Sequence, residues 1–283
     1  MSKEYTKATA IFLDLFKLNL GKPNKKLLAE ISTNFAALPW ENLSKYVRKH
    51  GLNEESVQDL PNELPELDGT QLLRQSTEVL QDHASLGTGG TCFSLTNALM
   101  KICSDLGFEV APAMADMRHG ENIHCGLVVF LDGKRYLLDP GYLVGEPIEL
   151  IRGQKTLIGS PGHQVEYRPV EGRDEFELYT KNGRGDEVFR YRLRPEPVGF
   201  LQFLHHWIES FAANGMNGLH LNALTGEGRL SAHNLNLRVD TGHGKKNIKL
   251  KSGYVEKIAH HFGLSPKLVQ LAYEEWEKRR WKR

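Results

Sequence analysis

The stretch "GTGGTCFSLTNALMKICSDLGF" (residues 87–108) sets three glycines ahead of a cysteine at the point where a helical pattern begins. Leu95, Ala98, Leu99, Ile102, Cys103 and Leu106 recur at the spacing of one helix face, which predicts a helix over 93–106. Gly107 stands where a left-handed C-terminal cap belongs. Cys92 opens this helix, where unpaired backbone N–H groups and the positive pole of the dipole favour a thiolate. Gly87, Gly89 and Gly90 would leave the approach free of side chains, so that a substrate carbonyl can come close to the backbone. The turn lacks the Lys-Ser/Thr ending of a phosphate-binding loop.

Downstream of Gly107 the period changes from helical to alternating. "EVAPAMADM", "HCGLVVFL", "KRYLLDPGYL", "HQVEYRPV", "EFELYT" and "EVFRYRLR" are short, β-rich and bounded by Gly, Asp and Pro. They predict an antiparallel sheet or barrel of about six strands. Helical spacing returns in "VGFLQFLHHWIESFAA" (198–213), followed by predicted strands over 219–225, 229–239 and 246–251 and helices near 253–262 and 266–280. Upstream, helices are predicted over 8–20, stopped by "LGKP", and over 24–37, with a polar connector over 52–68. The order is α+β: a helical N-terminal part carrying the cysteine (1–107), a β-rich centre (108–197) and a mixed α/β end (198–283).

His124 opens one apolar strand, and Asp139 ends the next. With Asp132-Gly133 as the hairpin loop, Leu131 faces Lys134 and His124 faces Gly141, which makes Asp139 the same-face diagonal neighbour of His124. Pro140 keeps Asp139 extended and ends the ladder. A buried carboxylate beside an imidazole fixes its tautomer and stabilises the imidazolium. Cys92, His124 and Asp139 thus supply the parts of an activated thiol nucleophile. Cys103 falls on the apolar helix face and Cys125 alternates away from His124, so neither is a candidate. No Cys-x-x-Cys or His-Glu-x-x-His spacing occurs, and no metal is predicted.

Composition narrows the classes. The 283 residues carry 36 Lys+Arg against 35 Asp+Glu, a formal charge of +1, which offers no electrostatic case for nucleic acid or a membrane surface. The basic "EKRRWKR" reads as a solvated helix end. The charged N-terminus does not read as a secretory signal, and no run approaches the ~20 apolar residues of a membrane span. Three cysteines without paired spacing argue for a reducing compartment, so a cytoplasmic location is expected.

These residues resemble the arylamine N-acetyltransferase family. Its nucleophile segment reads Arg-Gly-Gly-x-Cys-Phe-Glu-x-Asn, and "TGGTCFSLT" keeps Gly89, Gly90, Cys92 and Phe93. "HCGLVVF" resembles its His-x-x-Leu strand, "DPGYL" its Asp-Val-Gly-Phe-Gly turn, and "LPWENL" (38–43) its Ile-Pro-Phe-Glu-Asn-Leu block. Thr88, Ser94 and Thr96 stand where the family has Arg, Glu and Asn, and Leu143 stands where it has the final Gly. The resemblance implies a helical bundle, a central antiparallel β-barrel and a C-terminal α/β lid around a cysteine-proteinase-like core. It also implies Cys92, His124 and Asp139 as the catalytic residues, with Gly90, Phe93, Gly126 and Tyr142 in the substrate and oxyanion neighbourhood. The implied chemistry moves an acyl group, acetyl above all, from acyl-CoA to a small-molecule amine through an acyl-Cys92 intermediate. Acetyl-CoA or another acyl-CoA is then a co-substrate, with no permanently bound cofactor. Three alternatives stay open: an amide synthase acting on carrier-bound acyl chains, a thiol hydrolase or transglutaminase-like enzyme, and a non-catalytic relative. The oligomeric state is not legible.

Overall fold

The structure is a computed structural model and describes residues 5–52, 64–160, 162–181 and 185–280. Helix α1 (Lys7–Phe16) ends earlier than its pattern predicts, because Lys17 turns left-handed (φ 51°) and its N–H closes onto the Leu13 carbonyl. Helix α2 (Lys25–Phe35) starts at Asn24, whose side chain accepts the Leu27 N–H at 2.9 Å. Strand β1 (Trp40–Glu41), helix α3 (Leu43–Lys49) and helix α4 (Ser76–Leu86) have no counterpart in the sequence reading. The first two are too short to show a period, and α4 buries only Val79 and Leu80 among its large apolar residues. The polar connector assigned to 52–68 lies mostly outside the described residues.

Helix α5 (Cys92–Asp105) begins at the cysteine and stops at Leu106, with Gly107 at φ 92°. Residues 92–99 are buried on every side. The helix is therefore a central post rather than a surface amphipath. Its inner residues share one apolar cluster with Phe12, Leu28, Ile31 and Phe35 and with Leu127, Val129 and Leu138 of the sheet behind it.

The sheet runs through β2 (Glu109–Met117), β3 (Gly120–Leu131), β4 (Lys134–Leu138), β5 (Ile148–Glu149), β6 (Thr156–Ser160), β7 (His163–Pro169), β8 (Phe176–Lys181) and β9 (Glu187–Leu193). Among the described residues these eight strands pair antiparallel in the order β5-β4-β3-β2-β9-β8-β7-β6. Inward residues of β2, β3, β4, β5, β7, β8 and β9 form a single apolar cluster. One cluster fed from nearly every strand means that the sheet rolls into a nearly closed barrel. Strands β5 and β6 exceed the expected six, being short and poor in alternation. The turn between β3 and β4 is Asp132-Gly133, both at positive φ (51° and 70°), and it sets Leu131 opposite Lys134 as the hairpin reading requires.

Helix α6 (Phe200–Glu209) leads into β10 (His220–Thr225), β11 (Gly228–His233), β12 (Asn236–Asp240) and β13 (Lys245–Lys249), then α7 (Tyr254–Phe262) and α8 (Pro266–Arg280). The single strand expected over 229–239 is two strands, because Asn234 takes a left-handed conformation (φ 49°) and folds them into a hairpin. A second sheet orders β1-β10-β11-β12-β13, so the early "WE" dipeptide edges the late strands. Leu43, Tyr46 and Val47 of α3 join the same late apolar cluster.

Candidate active site

Cys92 sits in the first turn of α5, and Thr91 ahead of it makes no side-chain cap. The glycines before it do not hold space open for a ligand, as the sequence reading expected. A Cβ on Gly87 would lie 1.9 Å from the Gly263 carbonyl oxygen, one on Gly89 1.8 Å from that of Pro39, and one on Gly90 2.2 Å from Ser94 Oγ. The room is taken by the backbone at Gly263 and Pro39 and by the Ser94 side chain. Gly90 also accepts the Glu41 N–H at 3.0 Å and forms a bridge with Trp40, which ties the turn to β1.

The hairpin carries His124 and Asp139 to this point. Cys92, His124 and Asp139 are 8%, 3% and 0% exposed. His124 Nε2 lies 3.2 Å from Asp139 Oδ1, an ion-pair distance, but off line, so Nε2 has no aligned hydrogen-bond partner among the described residues. With Nε2 facing the carboxylate, Nδ1 is the nitrogen left for the thiol, and Cys92 Sγ donates to the Ile123 carbonyl at 3.9 Å, beside His124. Asp139 Oδ1 accepts the Tyr142 N–H at 3.1 Å, while Oδ2 accepts from the Tyr167 hydroxyl at 3.0 Å and from the Tyr191 hydroxyl. Tyr142 stands edge-on to His124 with ring centroids 5.2 Å apart, and Tyr191 lies tilted against it at 4.4 Å.

Three shifts follow from this packing. Cys92 is held well below the ordinary thiol value: the Cys125 thiol is the largest cause, the His124 hydrogen bond and charge and the Lys45 ammonium add to it, and burial opposes them. His124 is pushed up to about 10, because the Asp139 carboxylate and Cys92 outweigh the burial that opposes its charge. Asp139 is held below the carboxylate range; burial opposes this, while His124, Tyr191 and Tyr167 bring it about. Together these favour a thiolate–imidazolium pair.

Some of the expected neighbourhood is brought together and some is not. Tyr142 touches His124 and Asp139, whereas Gly90 ties the turn to β1 and Ser94. Phe93 is fully buried against Phe203, and a Cβ on Gly126 would meet Leu137 and the Leu138 carbonyl, so both serve packing. Cys125, set aside on alternation, packs in one apolar cluster with Cys92 and lies 3.6 Å (Sγ–Oγ1) from Thr96. Burial raises the Cys125 thiol well above its ordinary value. It therefore stays protonated, its thiol donating to Thr96 Oγ1. Gly141 matters as well: a Cβ there would fall 2.6 Å from His124 Cε1 and 2.8 Å from Cys92 Cβ. Lys45 on α3 is buried, with Nζ donating to Ser210 Oγ at 2.6 Å and lying 4.3 Å from the Phe211 ring centroid. Burial lowers its value to about 8.

The departures from the family segment have structural answers. Thr88 replaces arginine, yet a guanidinium still holds the turn: Arg74 Nη1 donates to the Gly89 carbonyl at 2.7 Å and Nη2 to Thr88 Oγ1 at 3.3 Å. Arg74 also meets Asp82 at 2.7 Å and lies 3.7 Å from Glu41 and 3.9 Å from Glu78. No pattern in the sequence marks a residue fourteen positions upstream for this. Leu143 replaces glycine but keeps a left-handed backbone (φ 55°), a conformation costing ~1–2 kcal/mol that its burial offsets.

The N-acetyltransferase family model matches residues 75–265, well over half of the chain. No curated protein matches it. Among solved structures, the arylamine N-acetyltransferase of Mycobacterium marinum is similar at a TM-score of 0.74 and 16% identity, covering 95% of this chain and 98% of that one. The same enzyme in complex with CoA is similar at 0.71 and 16%, covering 94% and 98%. A Bacillus cereus arylamine N-acetyltransferase with a Cys-His-Glu catalytic triad is similar at 0.66 and 16%, covering 92% and 99%. At such identity these structures establish the fold, and the family match extends across the nucleophile helix, the barrel and most of the late sheet. The chain belongs to the N-acetyltransferase family, on the fold of the arylamine N-acetyltransferases.

Proposed function

We propose that the protein transfers an acyl group, acetyl above all, from acyl-CoA to an amine by a ping-pong mechanism through Cys92. The observation that carries this reading is the buried meeting of Cys92, His124 and Asp139 at the first turn of α5. The Cys92 thiolate attacks the thioester carbonyl, the tetrahedral oxyanion collapses, and CoA leaves as a thiol after taking the proton of the His124 imidazolium. First-turn N–H groups of α5, left uncapped by Thr91, suit the oxyanion. The amine then attacks the acyl-Cys92 carbonyl, His124 accepts its proton, and Cys92 departs as thiolate. Asp139 holds the ring and its charge throughout. The CoA complex of the similar M. marinum enzyme supports a CoA thioester as donor.

Intact mass after mixing with acetyl-CoA tests this. One acetyl mass should appear on the wild type and discharge when an aromatic amine is added, and Cys92→Ala should carry none. An adduct that survives in Cys92→Ala or maps to Cys103 or Cys125 overturns the assignment.

A further inference from the structure

Strand β9 carries a β-bulge: Tyr191 pairs with Leu178 and Phe189 with Tyr179, which leaves Arg190 as the extra residue between them. A bulge re-aims the side chain it inserts. Arg190 is half-buried, with Nε donating to Thr180 Oγ1 at 2.6 Å. Across the seam between the barrel and the late sheet, Arg229 on β11 donates through Nη2 to Asn222 Oδ1 at 2.6 Å. Its Nη1 lies 3.4 Å from His163 Nδ1. Burial, then Arg229, lowers His163 to about 4, so its ring is neutral, and Nε2 donates to the Tyr142 carbonyl at 2.7 Å. These partners are all neutral.

Thr180, which holds Arg190, pairs with Val165, and His163, which meets Arg229, lies two residues before Val165 on the same face of β7, so both guanidinium groups come to one end of the barrel. Asp240, the carboxylate that acts on Arg229, is engaged by Lys245 at 3.1 Å and by the Gly242 N–H. Arg229 Nε is buried with no hydrogen-bond partner among the described residues. Arg229 meets His163, His163 donates to the Tyr142 carbonyl, and the Tyr142 ring stands edge-on to His124, so the seam reaches the Cys92 site through Tyr142. Two cations whose hydrogen-bond partners are neutral favour an anion joining them, and arginine forks match carboxylate and phosphate oxygens.

We propose that Arg190 and Arg229 form an anion subsite that takes a carboxylate or phosphate group of a substrate beside Tyr142. The acyl-transfer reading enters only in naming that substrate; anion binding does not depend on it. The first test is calorimetric titration of the full chain carrying Cys92→Ala, with benzoate and with inorganic pyrophosphate as probes. At least one probe should bind saturably, and its affinity should fall about tenfold or more in Arg190→Gln and in Arg229→Gln. Arg229→Lys, which keeps the charge without the fork, serves as a second variant should the Gln variant unfold, and it should lose part of the affinity. Absence of binding by both probes, or equal binding in the folded variants, overturns the subsite.

Kinetics on the catalytically intact chain then separate the sources. A rise in KM for acetyl-CoA but not for acetyl-pantetheine in Arg229→Gln assigns the anion to donor phosphate. A rise for 4-aminobenzoate but not for aniline assigns it to an acceptor carboxylate. Unchanged KM for all four overturns a substrate role. If no thioester acylates the wild type while the titration succeeds, the acyl-transfer reading fails and the subsite stands.

Discussion

At Gly141 a single hydrogen atom separates a working geometry from a blocked one. The β-carbon of alanine would press on both His124 and Cys92, so one of them must move by a sizeable fraction of an ångström. Misplacement of that order costs about 10²-fold in rate. Gly141→Ala should therefore lower single-turnover acylation about 10²-fold while the unfolding midpoint changes little; a loss that merely follows unfolding would point to folding instead. The thiol makes a second prediction. Cys92 is held low first by Cys125 and then by His124. Iodoacetamide should therefore alkylate it well below the ~8.5 of a free cysteine, and Cys125→Ala and His124→Gln should each move the profile toward higher pH. A Cys125→Ala profile identical to wild type would remove the second thiol from the site. The same charges set the stability window. His124, raised to about 10, contributes stability that is complete below its unfolded value of ~6.5 and is lost as pH rises through about 10. Asp139, held low, contributes above its unfolded value of ~3.9 and loses that contribution as pH falls through its folded one. The stability gap between wild type and His124→Gln should thus close between about pH 6.5 and 10, as urea midpoints would register.

Helix α5 shows how an element is held from outside its own sequence. Its apolar stripe and Gly107 stop are written in residues 95–107, but its approach is anchored by Arg74, which reaches the Gly89 carbonyl and Thr88 from ahead of α4. Arg48 adds a second guanidinium, 2.7 Å from Glu78, so two arginines and the carboxylates of Glu41, Glu78 and Asp82 form one buried network. Removing one partner leaves buried charge uncompensated, at about 3–5 kcal/mol. Arg74→Met should lose stability of that size, measured by urea unfolding, and the surviving folded fraction should acylate more slowly because the turn before Cys92 loses its tether. A variant as stable as wild type would mean that the carboxylates find other partners.

Across the whole molecule, the late sheet meets the turn before Cys92 through residues 40–42. Trp40 pairs with Asn222 on one side and bridges Gly90 on the other. Asn42 clamps the junction: its amide donates to the Gly215 and Gly218 carbonyls at 3.1 and 2.8 Å, and its Oδ1 accepts the His220 N–H at 2.8 Å. Asn42→Ala deletes three hydrogen bonds in a buried place, each worth about 1 kcal/mol with a further penalty for the orphaned groups. The expected loss is about 2–4 kcal/mol in urea unfolding, with faster hydrogen exchange in β10 before β3. Uniform exchange across both sheets would show that the junction is not the weak seam.

Much of this protein is legible along the chain because the information is local. Periodicity placed α5 and the strands from β2 to β9 that are long enough to alternate. The Asp132-Gly133 turn sets a register that carries Asp139 toward His124. Family resemblance in four short blocks agreed with the family match. What local pattern cannot hold is proximity across long separations. That Gly87 and Gly89 are glycines to admit the Gly263 and Pro39 carbonyls, that Cys125 reaches Cys92 despite its alternation, and that Arg74 stands in for an arginine missing at 88 all depend on chain segments meeting in space. Strand β1 is two residues long and has no period to read; it exists because β10 offers it hydrogen bonds from 180 residues away. The meeting of Cys92 and His124 follows from pattern, whereas the charges, glycines and seams around them follow from packing, where a side chain's neighbours are set by the closed core rather than by its neighbours in sequence.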